Sequence, residues 1–156
     1  MEIDIIEVKD GKQKSAFAEL ILNKLPEWFG NTAAKIEYIE NVSLYPFWAA
    51  MYNGKCVGFF SVKIHYEWTG DIYVCGIDPE YHNKGIGNKL FKVVEDYVVS
   101  KGCKYIIVKT LSELAKYEPY SRTRKFYKKV GFNELITLTE MWDSENPCLI
   151  MLKVIQ

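Results

Sequence analysis

The chain has 156 residues, enough for one domain with a substantial hydrophobic core, and 49% of them are apolar against 26% charged. Twenty basic side chains balance twenty acidic ones, which excludes a global field favouring nucleic acid or an anionic membrane. No apolar run approaches a membrane span, and Met1-Glu2-Ile3-Asp4 has neither the basic nor the apolar region of a secretion signal. The expectation is a soluble cytoplasmic protein with residues 1–156 as a single domain.

Residues Glu2–Val8 alternate acidic and aliphatic side chains, the period of a half-buried strand. Phe17, Leu20, Ile21 and Leu25 fall near helical spacing, which predicts a helix over Gln13–Leu25 that Pro26 ends. A second helix is expected over Ala33–Glu40. Asn53-Gly54, between Trp48–Tyr52 and Lys55–Ile64, is a hairpin signal. Tyr66–Gly70 makes a turn before the strand Asp71–Ile77. In the helix opened by Gly85, the residues Ile86, Leu90, Val93, Val94, Tyr97 and Val98 form one apolar face. Gly102 ends it, and Lys104–Thr110 is a β-rich strand. After a loop over Leu111–Pro119, Ser121 caps a short helix to Val130, which Gly131 closes. Asn133–Thr139 and Cys148–Val154 form the last strands, joined by a turn over Asp143–Pro147. The pattern is a mostly antiparallel meander with one central strand–helix–strand crossover, an α/β fold around a single mixed sheet.

The four cysteines, Cys56, Cys75, Cys103 and Cys148, are widely spaced. A thiolate metal site wants a close pair such as C-x-x-C, and the chain has none, so buried reduced thiols and no metal are expected.

The densest chemical signal is the stretch Ile77-Asp78-Pro79-Glu80-Tyr81-His82-Asn83-Lys84-Gly85-Ile86-Gly87-Asn88. A strand runs into a proline-punctuated turn, and two glycines then open a helix. Such a turn aims bare main-chain N–H groups at one spot where the helix dipole favours negative charge. It reads as a phosphate cradle. A Walker loop needs Gly-Lys followed by Ser or Thr, which is missing. A dinucleotide fingerprint needs a small residue where Leu90 stands and an acid about twenty residues on.

The spacing Ile77-x-Pro79 with Gly85-x-Gly87 resembles the acyl-CoA pyrophosphate loop of the GCN5-related N-acetyltransferases, with His82 where that family usually has Arg or Gln. Phe126-Tyr127-Lys128-Lys129-Val130-Gly131-Phe132 is similar to the family's second signature, Phe-Tyr-x-x-x-Gly-Phe. Tyr120 and Thr123 stand where Asn and Ala are frequent. The resemblance runs from the first strand to Leu152. Leu25–Phe29, Lys109–Leu111, Tyr120–Arg124 and Asn146–Leu149 look like one bacterial branch of it, a branch that fixes no substrate.

This resemblance implies a seven-stranded sheet with strands four and five splayed, and direct transfer of an acetyl group from acetyl-CoA to an amine. Its cofactor residues would be Cys75, Gly76 and Ile77 along the fourth strand, with Gly76 at a bulge. The loop residues His82, Asn83, Lys84, Gly85, Ile86, Gly87 and Asn88 would grip the diphosphate, and Thr123, Phe126 and Tyr127 would follow on the later helix. Core packing is the favoured role of Phe126. Tyr127 would stand near the departing sulfur.

An alkyl ammonium must lose a proton before it attacks, at a cost of roughly 4–5 kcal/mol at neutral pH. Two residues compete for that proton: Asp71, at the spacing of the base in histone-type members, and His65, whose ring titrates near neutrality. His82 is expected to brace the turn, and Glu118 to be solvated. Trp28, Phe29, Tyr45, Phe47, Trp48, Tyr66, Trp68, Tyr117, Tyr120 and Trp142 suit an acceptor surface, the core or a homodimer interface. Arg122, Arg124, Lys125, Lys128 and Lys129 form a basic helix face that is mostly solvated, with some near the 3′-phosphate. The competing functions are a non-catalytic acyl-CoA sensor and a plain interaction module.

Overall fold

A computed structural model describes all 156 residues. Its elements are β1 (Asp4–Glu7), α1 (Gly11–Leu22), α2 (Thr32–Asn41), β2 (Phe47–Tyr52), β3 (Lys55–His65), β4 (Thr69–Ile77), α3 (Ile86–Ser100), β5 (Tyr105–Leu111), α4 (Pro119–Lys129), β6 (Asn133–Asp143) and β7 (Asn146–Val154). The strands form one seven-stranded sheet in the order β1-β2-β3-β4-β5-β7-β6. The pairs β1–β2, β2–β3, β5–β7 and β6–β7 are antiparallel, and β4–β5 is parallel, joined by the α3 crossover. The mixed sheet expected from the sequence is the one observed. Register between β4 and β5 runs from Thr69↔Tyr105 to Ile72↔Val108 and ends there, although β4 continues to Ile77.

By compactness the chain divides into two units, Met1–Lys63 with Tyr73–Tyr97, and Ile64–Ile72 with Val98–Gln156. In the first unit, Ala18, Ile21, Leu22 and Leu25 from α1 and its end pack on Phe47 and Ala49 of β2 and Phe59 of β3. Phe47 and Phe59 stack 5.0 Å apart. Trp48, between Phe47 and Ala49 in sequence, instead meets Tyr97 of α3 at 4.8 Å. Alternate side chains of a strand face opposite ways, so α1 and α3 cover opposite faces of β2. Helix starts follow the capping rules, with Asp10 accepting from Gln13 N and Asn31 from Ala34 N.

In the second unit, Ile106 and Val108 of β5 and Cys148, Leu149 and Met151 of β7 are buried. Helix α3 stops at Gly102, whose φ is +81°, with Gly102 N bonded to Val99 O and Cys103 N to Val98 O. Those two reversed bonds make a Schellman cap. The outer strand β6 leaves Leu135, Ile136, Met141 and Trp142 exposed.

Three boundaries differ from expectation. Helix α4 starts at Pro119, and Ser121 lies inside it, capping nothing. Proline's fixed φ and absent N–H suit a first helical turn and override the serine signal. Strand β6 runs on to Asp143 and β7 starts at Asn146, so the connection is the short turn Ser144-Glu145. Pro147 is the second residue of β7, close enough to the strand's start to be tolerated.

Candidate active site

Strand β4 ends at Ile77, and Asp78 fixes the turn that follows. Its N–H donates to Val57 O at 2.9 Å, Oδ1 accepts from Glu80 N at 3.0 Å, and Oδ2 accepts from Lys24 Nζ at 2.8 Å. Burial works against ionisation of this carboxyl. Lys24, the Glu80 N–H and the Lys55 charge outweigh it and hold the group below its ordinary range. Lys24 is raised in turn, chiefly by its hydrogen bond to Asp78. The sequence reading missed this pair; the signal was aspartate directly before proline, a turn-capping position.

His82 sits where an Arg or Gln was expected, and its Nε2 lies 2.8 Å from Ile77 O, so that nitrogen carries the proton and donates. Trp28 meets the ring edge-on at 6.0 Å. The histidine thus closes the turn on itself, the bracing role expected of it. Asn83 and Gly85 then take φ values of +60° and +78°. A Cβ on Gly85 would meet nothing within 4 Å, so the glycine is there for its backbone angle and not for space.

Ile86 is buried and anchors the first turn of α3, while Asn83, Lys84, Gly85 and Asn88 are exposed and Gly87 is half-exposed. No main-chain N–H from Asn83 to Asn88 donates to a protein acceptor; the first that does is Lys89, to Gly85 O at 3.2 Å. A row of outward N–H groups at the positive end of a 15-residue helix fits an anionic diphosphate.

On β4, Gly76 is closely packed. A Cβ there would come within 2.8 Å of Leu25 Cδ1 and 3.1 Å of Ile21 Cγ2, so the glycine admits α1. The break in strand alternation lies earlier. Tyr73 and Val74, adjacent in sequence, both lie against the α1 core cluster, which a regular strand forbids. Cys75 is half-buried.

The two competing bases prove to be partners. His65 Nε2 is 2.7 Å from Asp71 Oδ2, and Lys109 Nζ is 3.4 Å from the same oxygen. Asp71 is 4% exposed, while the His65 side chain is 41% exposed. The aspartate is enclosed and orients the imidazole; the imidazole is the member that reaches solvent. Nearby on β5, Thr110 is buried with its Oγ1 unpartnered, an arrangement that costs stability unless something meets it. Sequence offered no signal for that.

On α4, the second signature is in large part a helix stop. Gly131 has φ +109°, Gly131 N bonds Lys128 O at 3.1 Å, and Phe132 N bonds Tyr127 O at 2.9 Å. The rings of Phe132 and Tyr127 meet at 5.4 Å, the apolar contact that accompanies a Schellman cap. Tyr127 is 3% exposed, and Phe126, expected in the core, is half-buried. Thr123 is half-buried as well.

The basic face is partly engaged. Arg124 Nη1 donates to Leu111 O at 2.7 Å, and Lys128 pairs with Glu134 at 2.7 Å. Glu118 is solvent-exposed at the helix start, 3.9 Å from Arg122.

Comparison with known proteins bears on this geometry. The profile described as "Acetyltransferase (GNAT) family" matches residues 16–132. A thialysine N-epsilon-acetyltransferase of Sus scrofa is 34% identical over 99 residues, covering 58% of this chain and 52% of that protein. The chain therefore spans about half the length of that relative. A GNAT-family acetyltransferase structure from Desulfovibrio desulfuricans superposes with a TM-score of 0.84 at 17% identity, covering 99% of this chain and all of that one. One from Elizabethkingia anophelis, with acetyl-CoA bound, superposes with a TM-score of 0.72 at 16% identity over 98% of both chains. At such identities the likeness is one of fold. No helix here is long and apolar enough to cross a membrane.

Proposed function

The chain belongs to the GNAT acetyltransferase family, and we propose that it is an N-acetyltransferase moving the acetyl group of acetyl-CoA directly onto an amine. The observation that carries this reading is the row of unpaired N–H groups from Asn83 to Asn88 at the start of α3. Those groups hold the diphosphate, with His82 and the Asp78–Lys24 pair keeping the turn in shape. Main-chain groups at Cys75, Gly76 and Ile77 hold the pantetheine arm. Thr123 and Phe126 line the same ligand.

In the transfer, a nitrogen–carbon bond forms and the carbon–sulfur bond breaks. The proton of the attacking amine goes to His65, which Asp71 orients at 2.7 Å. Lys109 Nζ lies 3.4 Å from the same carboxylate oxygen. The departing sulfur takes a hydrogen bond from Tyr127. A thiolate is less basic than a phenolate, so full proton donation is uphill by roughly 2 kcal/mol and stabilising developing charge is the larger contribution. The whole chain acts as one catalytic domain.

Calorimetry with acetyl-CoA, followed by free-thiol release over an amine panel, tests this. Saturable binding with amine-dependent thiol release is expected. Tyr127→Phe should lower kcat about tenfold or more with little loss of acetyl-CoA affinity. Parallel loss of affinity and turnover would contradict the tyrosine's role. Binding without release for any amine would point to a sensor.

A further inference from the structure

Lys63, near the end of β3, is half-buried, and its ammonium lies 4.9 Å from the ring centre of Tyr45 and 4.8 Å from that of Tyr73. Tyr38 braces Tyr73 edge-on at 5.2 Å, and Tyr45 meets Tyr73 at 5.0 Å. The cage is therefore stiff. None of the molecule's ion pairs includes Lys63. A half-buried cation held over two aromatic faces, with no carboxylate beside it, keeps its N–H donors for something else.

The same tyrosines supply more donors. Tyr73 OH accepts from Asn41 Nδ2 at 3.2 Å, which leaves its own proton to give. Burial raises this phenol above its ordinary range, against the pull of Asn41 and Lys63, so the group is a neutral donor at physiological pH. Because their faces already hold Lys63, Tyr45 and Tyr73 are not a receptacle for the acceptor's ammonium. The chemistry presented here is that of an anion site. A single ammonium matches a single negative charge. Tyr73 lies two residues before Cys75 on β4.

We propose that Lys63, caged by Tyr45 and Tyr73, recognises a carboxylate, and that the acceptor is an amine that also bears one. This rests on the acyltransferase reading above and names its substrate class. Lys63 is a specificity residue that touches the acceptor's acid group and takes no part in proton transfer.

The test pairs each common amino acid, and each ω-amino acid up to 6-aminohexanoate, with the amine lacking the carboxylate. Each is assayed with acetyl-CoA by thiol release. At least one carboxylate-bearing amine should exceed its partner in kcat/KM by about ten- to a hundredfold, the usual worth of a charge-assisted hydrogen bond. In Lys63→Met, which keeps the stem over the rings, that ratio should fall toward one; in Lys63→Arg it should largely survive. Unchanged calorimetric affinity of Lys63→Met for acetyl-CoA establishes that the variant is folded. If acetyl-CoA binds and no carboxylate-bearing amine is preferred, or none reacts, the proposal is overturned. A preference that persists in Lys63→Met overturns it as well. Failure of the wild-type protein to bind acetyl-CoA would instead remove the underlying acyltransferase reading.

Discussion

Single residues here owe their identity to different physical demands that look alike in sequence. Gly85 and Gly76 both sit in the region read as a cofactor site. The first is required by a φ of +78°, and the second by the approach of Leu25 and Ile21. A glycine's reason is a property of its neighbours in space, which is why the turn at Gly85 was legible and the packing around Gly76 was not. The thiols divide in the same way. Burial pushes Cys56 up to about 11, outweighing its bond to Gly58 O and the Lys24 charge, while Cys75 is half-buried. With a thiolate fraction of about one in a thousand at pH 8, Cys56 should resist alkylation. Mass spectrometry after limited iodoacetamide treatment should find Cys75 modified first and Cys56, Cys103 and Cys148 unmodified. First labelling at a buried thiol would mean that the core opens more readily than its packing implies. His65 and Asp71 were each visible as candidates, but their 2.7 Å pairing needs two strands side by side and no local pattern reports it.

At the scale of elements, the ion pair between Lys24, just beyond α1, and Asp78, just beyond β4, ties a helix end to the start of the cofactor turn. Asp78→Asn keeps an oxygen for Glu80 N but removes the charge, and should cost about 1 kcal/mol in urea unfolding at pH 7, since Lys24 is partly solvated. Asp78 is held below its unfolded value, so its contribution is present above about pH 4 and fades as pH falls through the folded value. Lys24 is raised, so its share is complete below about pH 10 and is lost as pH climbs through the folded value. The difference between wild type and variant should therefore be flat across neutrality and shrink at both ends. A difference that grew on acidification would reverse the assignment. Element types were legible because periodicity and punctuation were strong: Asn53-Gly54 and the amphipathic α3 lie where expected. Ends were less so. Ser121 lost to Pro119, and Pro147 hid the first residues of β7.

For the molecule as a whole, the parallel pair β4–β5 followed from one crossover helix, where the chain leaves for α3 and returns, whereas the insertion of β7 between β5 and β6 departs from the expected meander. The division into two compact units was not legible, because it cuts within β3, β4 and α3 and leaves no trace in composition. If the 156 residues behave as one domain, heat should unfold them in one transition. Acetyl-CoA at a hundredfold excess over its dissociation constant adds about 2.7 kcal/mol, which for a chain of this size raises Tm by about 5–10 °C. Two transitions in scanning calorimetry, with only one moved by the ligand, would contradict the single-domain proposal.

The cap that ends α4 has a consequence for how such chains are recognised. Gly131 and Phe132 are there to bend the backbone and seal a helix end, through bonds to Lys128 and Tyr127. Much of what makes Phe-Tyr-x-x-x-Gly-Phe detectable is therefore an instruction about architecture. A descendant that had given up chemistry, yet still had to turn that corner, would go on spelling those letters.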